Sequence, residues 1–245
     1  MALTINTREI SYTPADGTQL IGYFASPSNA QAVAGVLVAP EWWGRNSYTE
    51  QRARELAEQG YAAFAIDMYG DKKSTTEANQ ANTWMTQTFE NPETIVERAT
   101  AALNTLAEQP EVDATKLAAI GFCYGGKVAL DLARSGAQLQ AVATFHAALA
   151  AKAPAEEGVV QAEILVLHGE LDSMVTLDDV AKFKAEMHNA KVEHEVIIFA
   201  DAKHGFSNPQ ADERAKANGV DLGYNANAEA ESLAAMYELL ARRLA

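Results

Sequence analysis

Only one of the 245 residues is a cysteine, Cys123. A disulfide within the chain is therefore excluded, and so is a zinc site built from several thiolates. Long apolar runs are missing as well: no segment reaches the roughly 20 residues that cross a bilayer. Met1–Ile10 has no basic start followed by an apolar stretch, so no secretory signal is expected there and the expected compartment is the cytoplasm. Basic residues are scarce, 19 Lys and Arg against 33 Asp and Glu, a net charge of −14. Such a surface repels phosphate backbones, so nucleic acid is not an expected partner. There is no internal repeat, no low-complexity tract and no Pro- or Ser-rich linker, so residues 1–245 are expected to form one domain. What is present, 48% hydrophobic and 21% charged residues, is the composition of a globular protein able to bury its own core.

The pattern of apolar residues changes along the chain. Arg8–Thr13 and Gln19–Phe24 tend to alternate, with Asp16-Gly17 between them, and read as a hairpin. Short continuous apolar runs follow at Ala34–Ala39, Ala62–Ile66, Leu117–Ile120, Ala141–Phe145, Ile164–Leu167 and Val196–Phe199. Runs of this kind suit strands buried on both faces, as in a parallel sheet. Helix-like segments lie between or after them at Ser47–Gln59, Pro92–Glu108, Gly125–Arg134, Leu177–Asn189 and Glu229–Leu244. The alternation predicts an α/β fold, a mostly parallel central sheet with helices on both faces. Asp71–Glu90 is polar but holds Trp84 and Phe89; it reads either as a helical insertion over a site or as a surface helix. Lys203–Asn227 reads as a long loop.

In such sheets functional residues lie at the carboxyl ends of strands. Leu117–Ile120 runs directly into Gly121-Phe122-Cys123-Tyr124-Gly125-Gly126, and a helix pattern follows. This is the G-x-S-x-G nucleophile elbow with Cys in place of Ser. Glycines are needed because the nucleophile sits on a tight strand-to-helix turn where side chains would crowd. The helix N-terminus beneath the sulfur, with its free N–H groups, suits a thiolate. A lone Cys is otherwise more often an inert core residue; its place after a strand and before a helix favours the catalytic reading.

The acid and base follow in the order this elbow requires. Ile164–Leu167 leads into His168-Gly169-Glu170-Leu171-Asp172, and Val196–Phe199 leads into Ala200-Asp201-Ala202-Lys203-His204. His204 can take the thiol proton and return a proton to the leaving group, and Asp172 can fix the imidazole tautomer. Glu170 and Asp201 remain alternatives to Asp172. His168 is an alternative base, although its place on the strand end suits support of the turn. His146 follows another strand and can line a pocket; His188 and His194 suit a solvated helix end.

With these residues assembled, the chain resembles the dienelactone hydrolase family of α/β-hydrolases over nearly its whole length. The matching segments are Gly121–Gly126, His168-Gly169 with Asp172, His204-Gly205-Phe206, and Pro40-Glu41-Trp42-Trp43-Gly44. The resemblance implies an α/β-hydrolase fold with Cys123, His204 and Asp172 as the triad. It implies that Glu41 helps to take the thiol proton when substrate binds, and that the backbone N–H groups of Trp42 and Tyr124 form the oxyanion hole. Trp43, Trp84, His146 and Phe206 are expected to contact substrate. One departure stands out. Members of the family that hold a substrate carboxylate do so with arginines upstream of the nucleophile and shortly after the catalytic His. Here Phe206-Ser207-Asn208-Pro209 follows His204, and no Arg lies between Arg54 and Arg98.

The expected activity is hydrolysis of small neutral esters, lactones or thioesters through an acyl-enzyme, with neither metal nor organic cofactor. Attack of the same sulfur on a neutral phosphotriester is one rival, and a non-catalytic small-molecule binder on the same fold is another. The expected partner is a small-molecule substrate, with no membrane; a homodimer is left open.

Overall fold

A computed structural model describes residues 3–245 of the chain. The first two strands, β1 (Ile5–Tyr12) and β2 (Leu20–Pro27), form the expected hairpin, and both extend beyond its sequence limits. Then come β3 (Val33–Ala39), α1 (Ser47–Glu58), β4 (Ala62–Ala65), α2 (Ala78–Glu90), α3 (Pro92–Ala107), β5 (Val112–Phe122) and α4 (Tyr124–Arg134). The remainder is β6 (Ala141–Phe145), β7 (Glu163–Gly169), α5 (Leu177–Asn189), β8 (His194–Phe199), α6 (Ala211–Asn218) and α7 (Ala226–Arg243). All eight strands join one sheet in the order β1-β2-β4-β3-β5-β6-β7-β8. β1 and β2 are antiparallel to their neighbours; from β4 to β8 every pairing is parallel.

Side-chain alternation along each strand divides the core into two layers. In β3, Leu37 and Ala39 face the layer filled by Ile95 and Leu106 of α3, Val128 and Leu132 of α4, and Phe183 of α5. Val36 and Val38 face the other, filled by Leu56 of α1 and Met236, Leu239 and Leu240 of α7. Helices on both faces are what continuous apolar strands require, since neither face is left for water. Each fully buried side chain of this size contributes about 1.5–3 kcal/mol of transfer free energy.

Two sequence readings change, and a third that was left open is resolved. Lys203–Asn227 is not one long loop, because it contains α6. Only Ala211 and Arg214 of that helix are buried, so no apolar period announces it. β5 begins at Val112 rather than Leu117, because its polar start pairs with Val33 and Ala34 before a register shift. The 71–90 segment contains α2, which packs on α3 and reaches the carboxyl edge of the sheet; its role is described below. Among the described residues, no helix is long and apolar enough to cross a membrane.

Candidate active site

β5 ends at Phe122 and α4 starts at Tyr124, which leaves Cys123 alone in the turn with φ 54° and ψ −115°. A positive φ in a non-glycine residue is strained and persists only where its surroundings impose it. Here Cys123 N–H donates to the Phe145 carbonyl at 2.9 Å, which ties the turn to β6. The flanking glycines are steric necessities. A Cβ at Gly121 would lie 2.0 Å from the Gly125 carbonyl oxygen, and one at Gly125 would lie 2.2 Å from that of Ala39.

His204 and Asp172 reach the same edge from the loops after β8 and β7. Both are buried, at 4% exposure each. His204 Nδ1 donates to Asp172 Oδ2 at 2.7 Å. The other carboxylate oxygen, Oδ1, accepts from the N–H groups of Met174 and Val175, each at 2.9 Å. Asp172 therefore cannot turn away, and its acceptor role places the imidazole proton on Nδ1. Nε2, the remaining nitrogen, is buried, and Cys123 is the neighbouring side chain that raises the pKa of the ring most strongly. Burial alone would lower the His204 pKa. The neighbouring Cys123 and Asp172 side chains reverse this and hold it at about 10.

This shift has a sign that stability measurements can read. A raised pKa means that the folded state holds the His204 proton more tightly, so its contribution is present at low pH and is lost as pH rises towards about 10. Cys123→Ala removes the neighbour that raises it most. Between about pH 7 and pH 10, the urea midpoint of Cys123→Ala should therefore fall less than that of the parent. Equal falls would show that Cys123 does not govern His204.

The rival acids lie elsewhere. Glu170 and Asp201 are exposed, Asp201 on a turn with φ 59°, and neither bonds to His204. His168 is buried in β7, and burial lowers its pKa. His188 is exposed on α5, and His194 is half-buried with Nδ1 2.8 Å from the Val192 carbonyl.

Two backbone N–H groups are free for a substrate oxygen. The Glu41 carbonyl accepts from Gly44 N–H at 3.1 Å, and the Cys123 carbonyl accepts from Gly126 N–H at 3.1 Å. Because a trans peptide sets its C=O and N–H in opposite directions, these bonds turn the N–H groups of Trp42 and Tyr124 away from the turns behind them. Neither donates to a described residue.

Cys123 and His204 line a cavity of about 190 Å³. Its other walls are mostly apolar: Trp42, Met85, Phe89, Met174, Val175 and Leu222. Met85 and Phe89 come from α2, so that helix covers the site. It is anchored there by the Tyr124 hydroxyl on Thr88 Oγ1 at 2.9 Å. Larger hollows exist, such as one of about 800 Å³ beside Arg45 and Lys72 and one of about 590 Å³ between α3 and α4, but neither borders Cys123 or His204. No group of three or more His, Cys, Asp or Glu among the described residues is arranged to hold a metal ion.

The four expected substrate contacts are placed differently. Trp43 is 1% exposed, and His146 and Phe206 are fully buried. The His146 ring packs edge-on to His204 at 5.1 Å and to Phe206 at 5.2 Å, with Nε2 2.9 Å from Ser207 Oγ; His146 backs the imidazole, Phe206 lies against His146, and neither lines the cavity. Trp84 packs against Tyr69 and borders a separate polar groove. Residues close in sequence to the site fall behind it because each loop has an inner and an outer side. Met85, Met174 and Leu222 carried no sequence signal; Phe89 stood out only as an aromatic in a polar stretch.

Glu41 is 4% exposed, and its Oε2 accepts from Asn208 Nδ2 at 2.6 Å. Burial raises its pKa, opposed first by the charge of Arg214 and then by the Asn208 bond. The Arg214 guanidinium lies 4.7 Å from the Trp43 ring centroid. Asn208 and Arg214 were not singled out as site residues from the sequence; Asn208 reaches Glu41 from the turn before α6, and the charge of Arg214 acts on Glu41 from α6 itself.

The model of the dienelactone hydrolase family matches residues 20–244. Among solved structures, the protein m3DLH is 38% identical, with 98% of this chain and 99% of that chain covered and a TM-score of 0.91. A dienelactone hydrolase-like promiscuous phosphotriesterase from metagenomic libraries is 35% identical over 100% of both chains, with a TM-score of 0.90. A Bradyrhizobium protein named "Probable 2-oxo-3-(5-oxofuran-2-ylidene)propanoate lactonase" is 26% identical over 200 residues, 78% of this chain and 80% of its own. With the elbow, the sheet order and this match over almost the whole length in agreement, the chain belongs to the dienelactone hydrolase family, a hydrolase on an α/β-hydrolase fold.

Proposed function

We propose that this hydrolase cleaves small uncharged esters, lactones or thioesters through a covalent acyl-enzyme on Cys123. The observation that carries the reading is the buried His204–Asp172 bond beside Cys123 at the mouth of a strained strand-to-helix turn. In the forward step Cys123 sulfur attacks the carbonyl carbon. The developing oxyanion is received by the N–H groups of Trp42 and Tyr124, and His204 delivers a proton to the leaving group. Water, activated by the same imidazole, then attacks the acyl carbon and releases Cys123. Glu41 serves the first step by accepting the thiol proton when substrate arrives; His204 enters that step as the imidazolium, regains its proton from the attacking water, and Glu41 returns its own to the released sulfur.

The cavity argues for neutral substrates. Its walls are mostly apolar, and none of the lining residues is an arginine or lysine. Arg45 is tied to Glu9 and Glu50, and Arg98 to Asp16 and the Met68 carbonyl. Arg214 faces Glu41. The carboxylates of Glu41 and Asp172 add negative charge nearby. For matched chromogenic esters, kcat/KM should favour the neutral one over the carboxylate-bearing one by about tenfold or more, the size expected of one unfavourable charge contact at short range. The preference should persist at high salt, because screening over about 10 Å acts on exposed charges and not on buried ones. Equal or better turnover of the anionic ester would defeat the reading.

A second reading has one specific support, the family relative described as a promiscuous phosphotriesterase. The donors that receive a carbonyl oxygen can receive a phosphoryl oxygen as well. Assaying an activated neutral phosphotriester beside the ester separates the two: faster phosphotriester turnover would make phosphotriester hydrolysis the main activity.

A further inference from the structure

We propose that Asn208 is a positioning residue that clamps one oxygen of Glu41 and leaves the other free to take the Cys123 proton. The inference rests on the role given above to Glu41. Asn208 is 1% exposed, and its amide is held at both ends. Its Oδ1 accepts from Gln210 N–H at 2.9 Å, and its Nδ2 donates to Glu41 Oε2 at 2.6 Å. Rotating the amide by half a turn would set two donors against each other at Gln210 and two acceptors at Glu41, so this orientation is enforced.

The backbone is held too: Asn208 N–H donates to the Gly205 carbonyl at 2.9 Å, and its own carbonyl accepts from Ala211 N–H at 2.9 Å. Gly205 directly follows His204. The clamp therefore couples Glu41 to the loop that carries the base, across 167 positions of sequence.

No other described residue donates a hydrogen bond to the Glu41 carboxylate. The charged groups that act on it are Arg214 of α6, His204, and Arg52 of α1. These act on Glu41 through charge without a hydrogen bond, so they favour the carboxylate without setting its direction. Oε1 has no protein donor and is not a buried orphan, so its lone pairs remain available. A neutral amide in the clamping position also adds no positive charge that would attract an anionic substrate.

The test is a cycle of Asn208→Ala, Glu41→Gln and the double variant, read as pre-steady-state acylation by an activated neutral ester. Glu41→Gln keeps an acceptor for Asn208 but loses the proton acceptor, so it should slow acylation. Asn208→Ala should slow it about 10- to 100-fold, the range spanned by a hydrogen bond to a charged group, with KM changed by less than about threefold. In the Glu41→Gln background, Asn208→Ala should cost little more, because the two residues act as one unit. Where Asn208→Ala does not fold, Asn208→Asp keeps the shape without the donor and carries the same expectation. Normal acylation by the Asn208 variants beside a slow Glu41→Gln would overturn the clamp and leave the Glu41 role standing. Multiplying losses in the double variant would do the same. Normal acylation by Glu41→Gln would overturn both.

Discussion

Cys123→Ala should hydrolyse a chromogenic ester at least about 10³-fold more slowly than the parent, with the fold intact. The sulfur is the only atom at the elbow able to form the acyl bond, and an alanine methyl fits the space that it leaves. The turn itself is held by the Cys123 N–H bond to Phe145 and by the flanking glycines, none of which needs the thiol. What survives should be the contribution of binding and of the two N–H donors. Because Cys123 is the only cysteine in the chain, alkylation gives an independent check. One equivalent of label should abolish turnover, and substrate should slow labelling. Full ester turnover by Cys123→Ala, or by the fully labelled protein, would remove the nucleophile from the proposal.

Asp172→Asn should cost about 10³- to 10⁴-fold in kcat, the loss expected when a buried imidazole is left in the wrong tautomer. The carboxylate accepts three hydrogen bonds, from His204 and from the N–H groups of Met174 and Val175. An amide can keep the backbone pair only by turning its NH2 towards His204, which forces the imidazole to accept there and to carry its proton on Nε2. That nitrogen can then no longer take the proton of the attacking water. Glu170→Gln and Asp201→Asn should stay within about twofold, as changes at exposed positions without a bond to His204. Comparable losses at all three, with folding intact by circular dichroism, would mean that Asp172 holds no special place.

Much of the architecture was legible because it repeats simple periods. Continuous apolar runs suit strands covered on both faces, and the structure places all six of them in one sheet, although the edge strand β8 leaves Ile198 46% exposed. The place of Cys123, Asp172 and His204 at one sheet edge was legible for a related reason. Each lies directly after such a run, and a parallel sheet puts all of its strand ends at one edge. The short helix α6 was not, because it buries too little to leave a pattern. The two roles open for the 71–90 segment could not be separated either, since a polar helix over a site and one on a free surface look alike until Met85 and Phe89 are seen against Cys123.

By itself, then, the sequence determined the class of fold, the elbow and the order in which acid and base follow it, because these are local patterns read along one strand, one turn or one helix. Only the tertiary structure decided which side of each loop faces the cavity. It put Trp42 inside and Trp43 behind, set His146 against the back of His204 with Phe206 packed on His146, and brought Asn208 to Glu41 and Arg214 to the Trp43 ring. The physical reason is that burial and hydrogen bonding depend on what the rest of the chain places opposite a residue. For Glu41 that partner lies 167 positions away, a distance no spacing rule can span.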